Sequence, residues 1–196
     1  MSQQGIRAGL RRLIEALHRL DIEYMIVGSL ASSIHGVSRA TMGIDFVADL
    51  SEAKIEKLAR ELETEFHADA AAMKEAFHAG RAFNLIHYAS SYKFDIFPLT
   101  TDGFSRVEFA RRIRTALPPE PPEAALDLLV ASEEDTLLNK LRWYRSGGET
   151  SERQWNDAVG IVRVRADQLD VQYLKQWAGH LRVEDLLDRL LRDAGA

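Results

Sequence analysis

The chain has 196 residues, 46% of them hydrophobic and 28% charged, with a formal net charge of −5 and no cysteine. That length suits one domain, or one catalytic-type domain with a helical appendage, and is enough to bury a proper core. The composition excludes a disulfide framework and a thiolate zinc site, and the acidic balance argues against a surface coated for nucleic acid, although a local basic groove stays open. No apolar run approaches membrane-spanning length, and the N-terminal stretch is amphipathic rather than a basic segment followed by an apolar one. The expectation is a cytoplasmic protein with no membrane partner.

In chain order, Leu10, Leu13, Ile14, Leu17 and Leu20 recur at helical spacing, which predicts a helix over Ile6 to Leu20 laid against a sheet. Tyr24, Met25, Ile26 and Val27 make a short apolar run that stops at Gly28-Ser29, the pattern of a buried strand meeting a tight turn. Leu30, Ala31 and Ile34 follow at helical spacing. A helix starting at Ser29 has its first amide N–H groups unpaired, beside a residue with no side chain, and that end suits a phosphate. After the loop from His35 to Met42, Gly43 to Val47 alternates as a strand, placing position 43 and Asp45 on one face about 7 Å apart.

Ser51 is placed to cap a helix whose inner stripe is Ile55, Leu58, Ala59 and Leu62. The alanine-rich segment 68–79 is either a short helix or an irregular connection. Phe83 to Tyr88 and Tyr92 to Phe97 alternate as the two arms of a hairpin across Ala89-Ser90-Ser91, with Pro98 closing the second arm. Asp95 sits inside that apolar second arm, where a carboxylate is costly unless paired or bound to a cation. Ser105 to Leu117 reads as a further strand, with Val107, Phe109, Arg111 and Ile113 on one face. The proline-rich run Leu117 to Glu123 reads as a stiff extended connection, and Ala125 to Ala131 as one more strand.

Strands alternating with helices imply a layered α/β domain. Everything after residue 131 is helical in pattern, so the boundaries expected are an α/β core over 1–131 and a C-terminal helical segment over 132–196 packed on it. Ser132 and Asp135 have the spacing of a capping box, ahead of the stripe Leu137, Leu138, Leu141 and Tyr144. Gly147-Gly148 end that helix, Ser151 starts the next, and two amphipathic helices over Tyr173 to Trp177 and Val183 to Leu191 follow. Lys140 lies beside the apolar stripe, so it either snorkels or answers an anion. Asp157 has Arg153 one turn before it, a ready salt-bridge partner. His35, His78 and His87 have no metal-ligand spacing and read as structural.

Gly28-Ser29, then thirteen positions, then Gly43-Ile44-Asp45 followed by apolar residues resembles the signature of the nucleotidyltransferase fold, the polymerase-beta-like superfamily. The phrase HGVSRATMGIDFVADL is most similar to AbiEii-type and related uncharacterised nucleotidyltransferase-like proteins. The resemblance implies an α/β (α+β) fold, a mixed sheet flanked by helices with a C-terminal helical segment. It also implies transfer of a nucleoside monophosphate from a nucleoside triphosphate to a hydroxyl acceptor, an RNA end or another group, with Mg2+ or Mn2+ as cofactor and an antitoxin as a candidate partner. Two ions about 4 Å apart stabilise the attacking and leaving oxygens in such chemistry. Asp45 and Asp95 are the implied catalytic and metal-holding acids. Gly28, Ser29, Arg39, Thr41, Lys140 and Asp157 are the implied nucleotide-binding residues, with Arg153 matching the family's basic position on the same helix as Asp157.

One position departs from the signature. The superfamily has Asp-x-Asp, and Gly43 stands where the first acid belongs. Asp49 shares the strand face of Asp45 but lies about 13 Å along, too far to serve the same ion. The chain is therefore a weak transferase working with fewer carboxylates, a nucleotide-binding or interaction module without turnover, or an inactivated variant.

Overall fold

The computed structural model describes residues 3–119 and 125–195. In chain order the elements are α1 (Gln3–Arg19), β1 (Tyr24–Val27), α2 (Gly28–His35), β2 (Gly43–Ala48), α3 (Glu52–Leu62), β3 (Phe66–His67), α4 (Ala70–His78), β4 (Phe83–His87) and β5 (Tyr92–Pro98). They continue with α5 (Gly103–Ala110), β6 (Ile113–Leu117), β7 (Leu126–Val130), α6 (Glu133–Ser146), α7 (Glu152–Arg165), α8 (Val171–Leu181) and α9 (Glu184–Ala194). The chain divides into two compact units: Met1–Ile26 with Met42–Val130, and Val27–Thr41 with Ala131–Ala196.

The first unit is built on a seven-stranded mixed sheet in the order β3-β4-β5-β2-β1-β7-β6. β2 runs parallel to β5 and β1 parallel to β7, while the β4–β5, β3–β4 and β6–β7 pairs are antiparallel. Strict alternation decides its faces. Ile44, Phe46 and Ala48 on β2, Tyr92, Phe94 and Ile96 on β5, and Phe83 and Leu85 on β4 are buried. Aromatic rings cross the sheet on that side, Phe46 lying 5.7 Å from Tyr24 and 6.4 Å from Phe94, with Phe66 5.9 Å beyond. Leu10, Leu13, Ile14 and Leu17 of α1 and Ile55, Leu58 and Leu62 of α3 are fully or almost fully buried, as their helical stripes require. Ser51 caps α3 by accepting from the Lys54 amide, and Asp69 caps α4 by accepting from the amides of Ala71 and Ala72. The alternative left open over 68–79 thus resolves to a helix.

One sequence expectation fails here. The stretch read as a strand over Ser105 to Leu117 is a helix, α5, followed by the strand β6. Asp102 accepts from the Ser105 amide at 3.0 Å and so starts the helix; Phe104, Glu108 and Phe109 are its buried side, with Phe104 and Glu108 one turn apart. The apparent alternation came from continuing the period of β6 backwards across Arg111. Of the proline-rich connection, residues 120–124 lie outside the described residues.

The second unit joins α2 and its following loop to the C-terminal helices. Ser132 accepts from the Asp135 amide, the N-cap half of the capping box expected from the sequence, and its hydroxyl donates to the fully buried Asp135 carboxylate at 2.8 Å. Tyr173 on α8 donates to the same carboxylate at 2.5 Å. α2 runs against α7 backbone to backbone: a Cβ placed on Gly36 would stand 2.8 Å from the Ile161 nitrogen and 2.9 Å from the Gly160 carbonyl carbon. Only glycine permits that approach. Among the described residues, no helix is long and apolar enough to cross a membrane.

Candidate functional site

The implied acids come together in the first unit. Asp45 on β2 and Asp95 on β5 are direct register partners in the parallel pair, and Asn84 on β4 is the register partner of Asp95 on its other side. Partners on neighbouring strands share a face, and strands lie about 4.8 Å apart, so an Asn84–Asp95–Asp45 row crosses three strands. This is the face opposite the aromatic core, because 45 and 95 alternate with the buried Phe46, Phe94 and Ile96. The hairpin and the period of two together bring both acids to one face of the sheet.

The neighbouring row carries Gly43 and Lys93, themselves register partners. The Lys93 ammonium donates to Asp95 Oδ2 across 2.9 Å, with the lysine side chain 47% exposed and the aspartate side chain 15%. Asn84 Nδ2 donates to Asp95 Oδ1 in a short contact. Both oxygens of Asp95 therefore have donors from the chain. A Cβ on Gly43 would fall 3.3 Å from the Lys93 carbonyl oxygen, 3.4 Å from Asp95 Oδ2 and 3.6 Å from Lys93 Cε, so position 43 borders both side chains.

The implied nucleotide-binding residues gather in the second unit. Gly28 has φ +66°, a left-handed conformation that glycine adopts without strain, and α2 begins there. Ser29 Oγ and Thr41 Oγ1 share a hydrogen bond of 2.6 Å. Arg39 holds Asp157 with two parallel hydrogen bonds, Nε to Oδ1 and Nη2 to Oδ2, each 2.7 Å. Lys140 reaches the same carboxylate from α6 at 2.7 Å, with both side chains only 6% exposed. Ser32, on the first turns of α2, donates weakly to Asp157 at 3.4 Å and lies 3.1 Å from the carbonyls of Gly28 and Ser29. Burial pushes the Asp157 carboxyl up, but the hydrogen bonds and charges of Arg39 and Lys140 outweigh it and hold the group below the usual carboxylate range.

Several alternatives weighed in the sequence close here. Lys140 does not snorkel: it is buried and answers an anion, the carboxylate of Asp157. That carboxylate takes Arg39 and Lys140 as partners, in place of the local Arg153 pairing. His35 is structural as expected, its Nε2 2.7 Å from the Ala131 carbonyl oxygen, and His87 is 2.9 Å from the Ser90 hydroxyl. Sequence reasoning missed Ser32, Asn84 and Lys93. The last two were legible once the hairpin and the β2–β5 pairing are known, because register alone puts them around Asp95.

The sheet's donor set does not fit a pair of divalent ions. Among the described residues, nowhere do three or more Asp, Glu, His or Cys side chains gather as a metal-holding group, and the Asp95 carboxylate carries an ammonium and an amide. Magnesium asks for near-octahedral oxygen ligands, and the chain offers here two carboxylates with an ammonium beside one of them.

No protein-family model and no curated protein matches the chain. Solved structures do. An antigenic nucleotidyltransferase-like protein from Paracoccidioides brasiliensis superposes with a TM-score of 0.54 at 18% identity, over 98% of this chain and 94% of that one. ANT(2")-Ia, described in complex with adenylyl-2"-tobramycin, superposes with a TM-score of 0.53 at 10% identity, over 92% of this chain and 98% of that one. The solution structure of ANT(2'')-Ia gives 0.51 at 13% identity, over 92% of each chain. The chain has the mixed α/β fold of nucleotidyltransferase-like proteins.

Proposed function

We propose that the protein binds a nucleoside triphosphate and transfers its nucleoside monophosphate to a hydroxyl acceptor slowly, with Gly43 as the cause of the low rate. The observation that carries this reading is the side-by-side placement of Asp45 and Asp95 on the open face of the β2–β5 pair. In the reaction the acceptor oxygen bonds to the α-phosphorus, the bond to the bridging oxygen breaks, and pyrophosphate leaves with that electron pair. The acceptor's proton moves toward the carboxylates at 45 and 95. The resemblance assigns the amides of Gly28 and Ser29, the hydroxyls of Ser29 and Thr41, and Arg39, Lys140 and Asp157, all in the second unit, to the nucleotide. A divalent ion enters as part of the triphosphate substrate. The adenylylated aminoglycoside bound to ANT(2")-Ia is the precedent for a hydroxyl acceptor; an RNA end or a protein hydroxyl is the corresponding acceptor for an AbiEii-type toxin with an antitoxin partner.

A second reading is favoured by one specific observation, the Lys93–Asp95 ion pair: a nucleotide-binding or interaction module without turnover. Calorimetric titration with each of the four triphosphates and Mg2+, followed by pyrophosphate release with transfer RNA, separates the two. Binding with release supports transfer, binding without release supports the module, and absence of binding overturns both. Gly43→Asp is expected to increase label incorporation from the triphosphate several-fold; no gain over the parent counts against a depleted transferase site.

A further inference from the structure

We propose that Lys93 takes the place of a divalent cation at the Asp45–Asp95 pair: its ammonium, admitted by the missing side chain of Gly43, supplies the positive charge the two carboxylates require and leaves this strand face without affinity for magnesium or manganese. Two carboxylates at directly opposed positions of adjacent strands repel, and a cation beside either one eases that repulsion. Lys93 stands beside Asp95. Lys93 is two residues before Asp95 on the same strand, so the pleat puts both on one face, and its ammonium lies 2.9 Å from Asp95 Oδ2.

Gly43 is the complementary change. It is the register partner of Lys93, and a Cβ there would lie 3.6 Å from Lys93 Cε and 3.4 Å from Asp95 Oδ2. Glycine at 43 thus leaves the space beside the lysine stem and the Asp95 carboxylate unfilled by a side chain. Asn84 completes the arrangement by donating to Asp95 Oδ1. With an ammonium on one oxygen and an amide on the other, Asp95 offers a metal fewer of its lone pairs, and an incoming divalent ion meets a positive charge at hydrogen-bond distance from its would-be ligand.

This inference concerns the cation and not the nucleotide, so it is tested without nucleotide. Mn2+ is titrated into the full chain at neutral pH, and free ion is followed by electron paramagnetic resonance. The parent is expected to show no saturable site. Lys93→Met keeps the apolar stem and removes the charge, and is expected to bind Mn2+ at least about tenfold more tightly than the parent. Gly43→Asp combined with Lys93→Met tightens binding further, and Asp95→Asn abolishes both gains. A saturable Mn2+ site in the parent that Asp95→Asn removes overturns the proposal, as does a folded Lys93→Met variant with unchanged affinity. Position 93 is half exposed, so that single variant decides the matter even if a carboxylate at 43 prevents folding.

Discussion

Asp157 is the residue on which the second unit's polar interior turns. Its partner Lys140 is 5% exposed, and removing the carboxylate takes away the countercharge of a buried ammonium. Asp157→Ala is therefore expected to cost roughly 3–5 kcal/mol, a fall in thermal midpoint on the order of 10 °C by calorimetry. Lys140→Met removes a charge but leaves the Arg39–Asp157 fork intact, and should cost clearly less. If the order of the two variants is reversed, the fork is not the dominant contact. Gly36 makes a second case. Adding one methyl group there forces the end of α2 away from the α7 backbone, and overpacking of this kind costs about 1–3 kcal/mol; a Gly36→Ala melt unchanged from the parent would contradict the close approach.

Helix and strand boundaries were legible where a cap or a clean period of two marked them. Ser51, Ser132 and Ser151 stand at the starts of α3, α6 and α7 and accept from the amides that an N-cap serves. The hairpin of β4 and β5 and the buried run of β1 were equally plain. α5 was not, because its eight residues are too few to show a helical period beside the alternating β6; the decisive signal was Asp102, which binds the hydroxyls of both Thr100 and Ser105 as well as capping the helix. Asp102→Ala is expected to lower stability by about 1 kcal/mol, and Ser132→Ala by more, since the buried Asp135 then loses a donor. Equal denaturant midpoints for the two variants would argue against this ranking. In the candidate site, the acids and the turn could be read from type and spacing. Partners on other elements could not: Asp157 with Arg39 is separated by 118 positions, and no local pattern encodes that choice.

Acid should unfold the protein in two stages. Burial depresses His35 and His87 below the ordinary imidazole value, against the opposing pull of neighbouring glutamates. In the unfolded chain both protonate near pH 6.5, while in the fold they stay neutral to lower pH. The unfolded state thus binds more protons below that value, and stability falls as pH drops from about 6.5 toward the folded values. The depressed Asp157 adds a second loss in the same direction: its contribution is present above the ordinary aspartate value and disappears as pH falls through the folded one. Urea midpoints that decline from pH 7.5 to pH 5.5 and again below pH 4 are expected; a flat profile across the first interval would contradict neutral, buried histidines.

The second unit is assembled from a short early segment, 27–41, and everything after residue 130. On the ribosome, α2 emerges long before α6 and α7, so Ala31 and His35, almost fully buried in the finished protein, have no cover while more than half of the chain is still being synthesised. The central strand β1 waits as well, since one of its neighbours is β7. Arrested nascent chains stalled before α6 should therefore remain open to protease around residues 28–41, and that segment should become resistant only when α6 and α7 have cleared the exit tunnel.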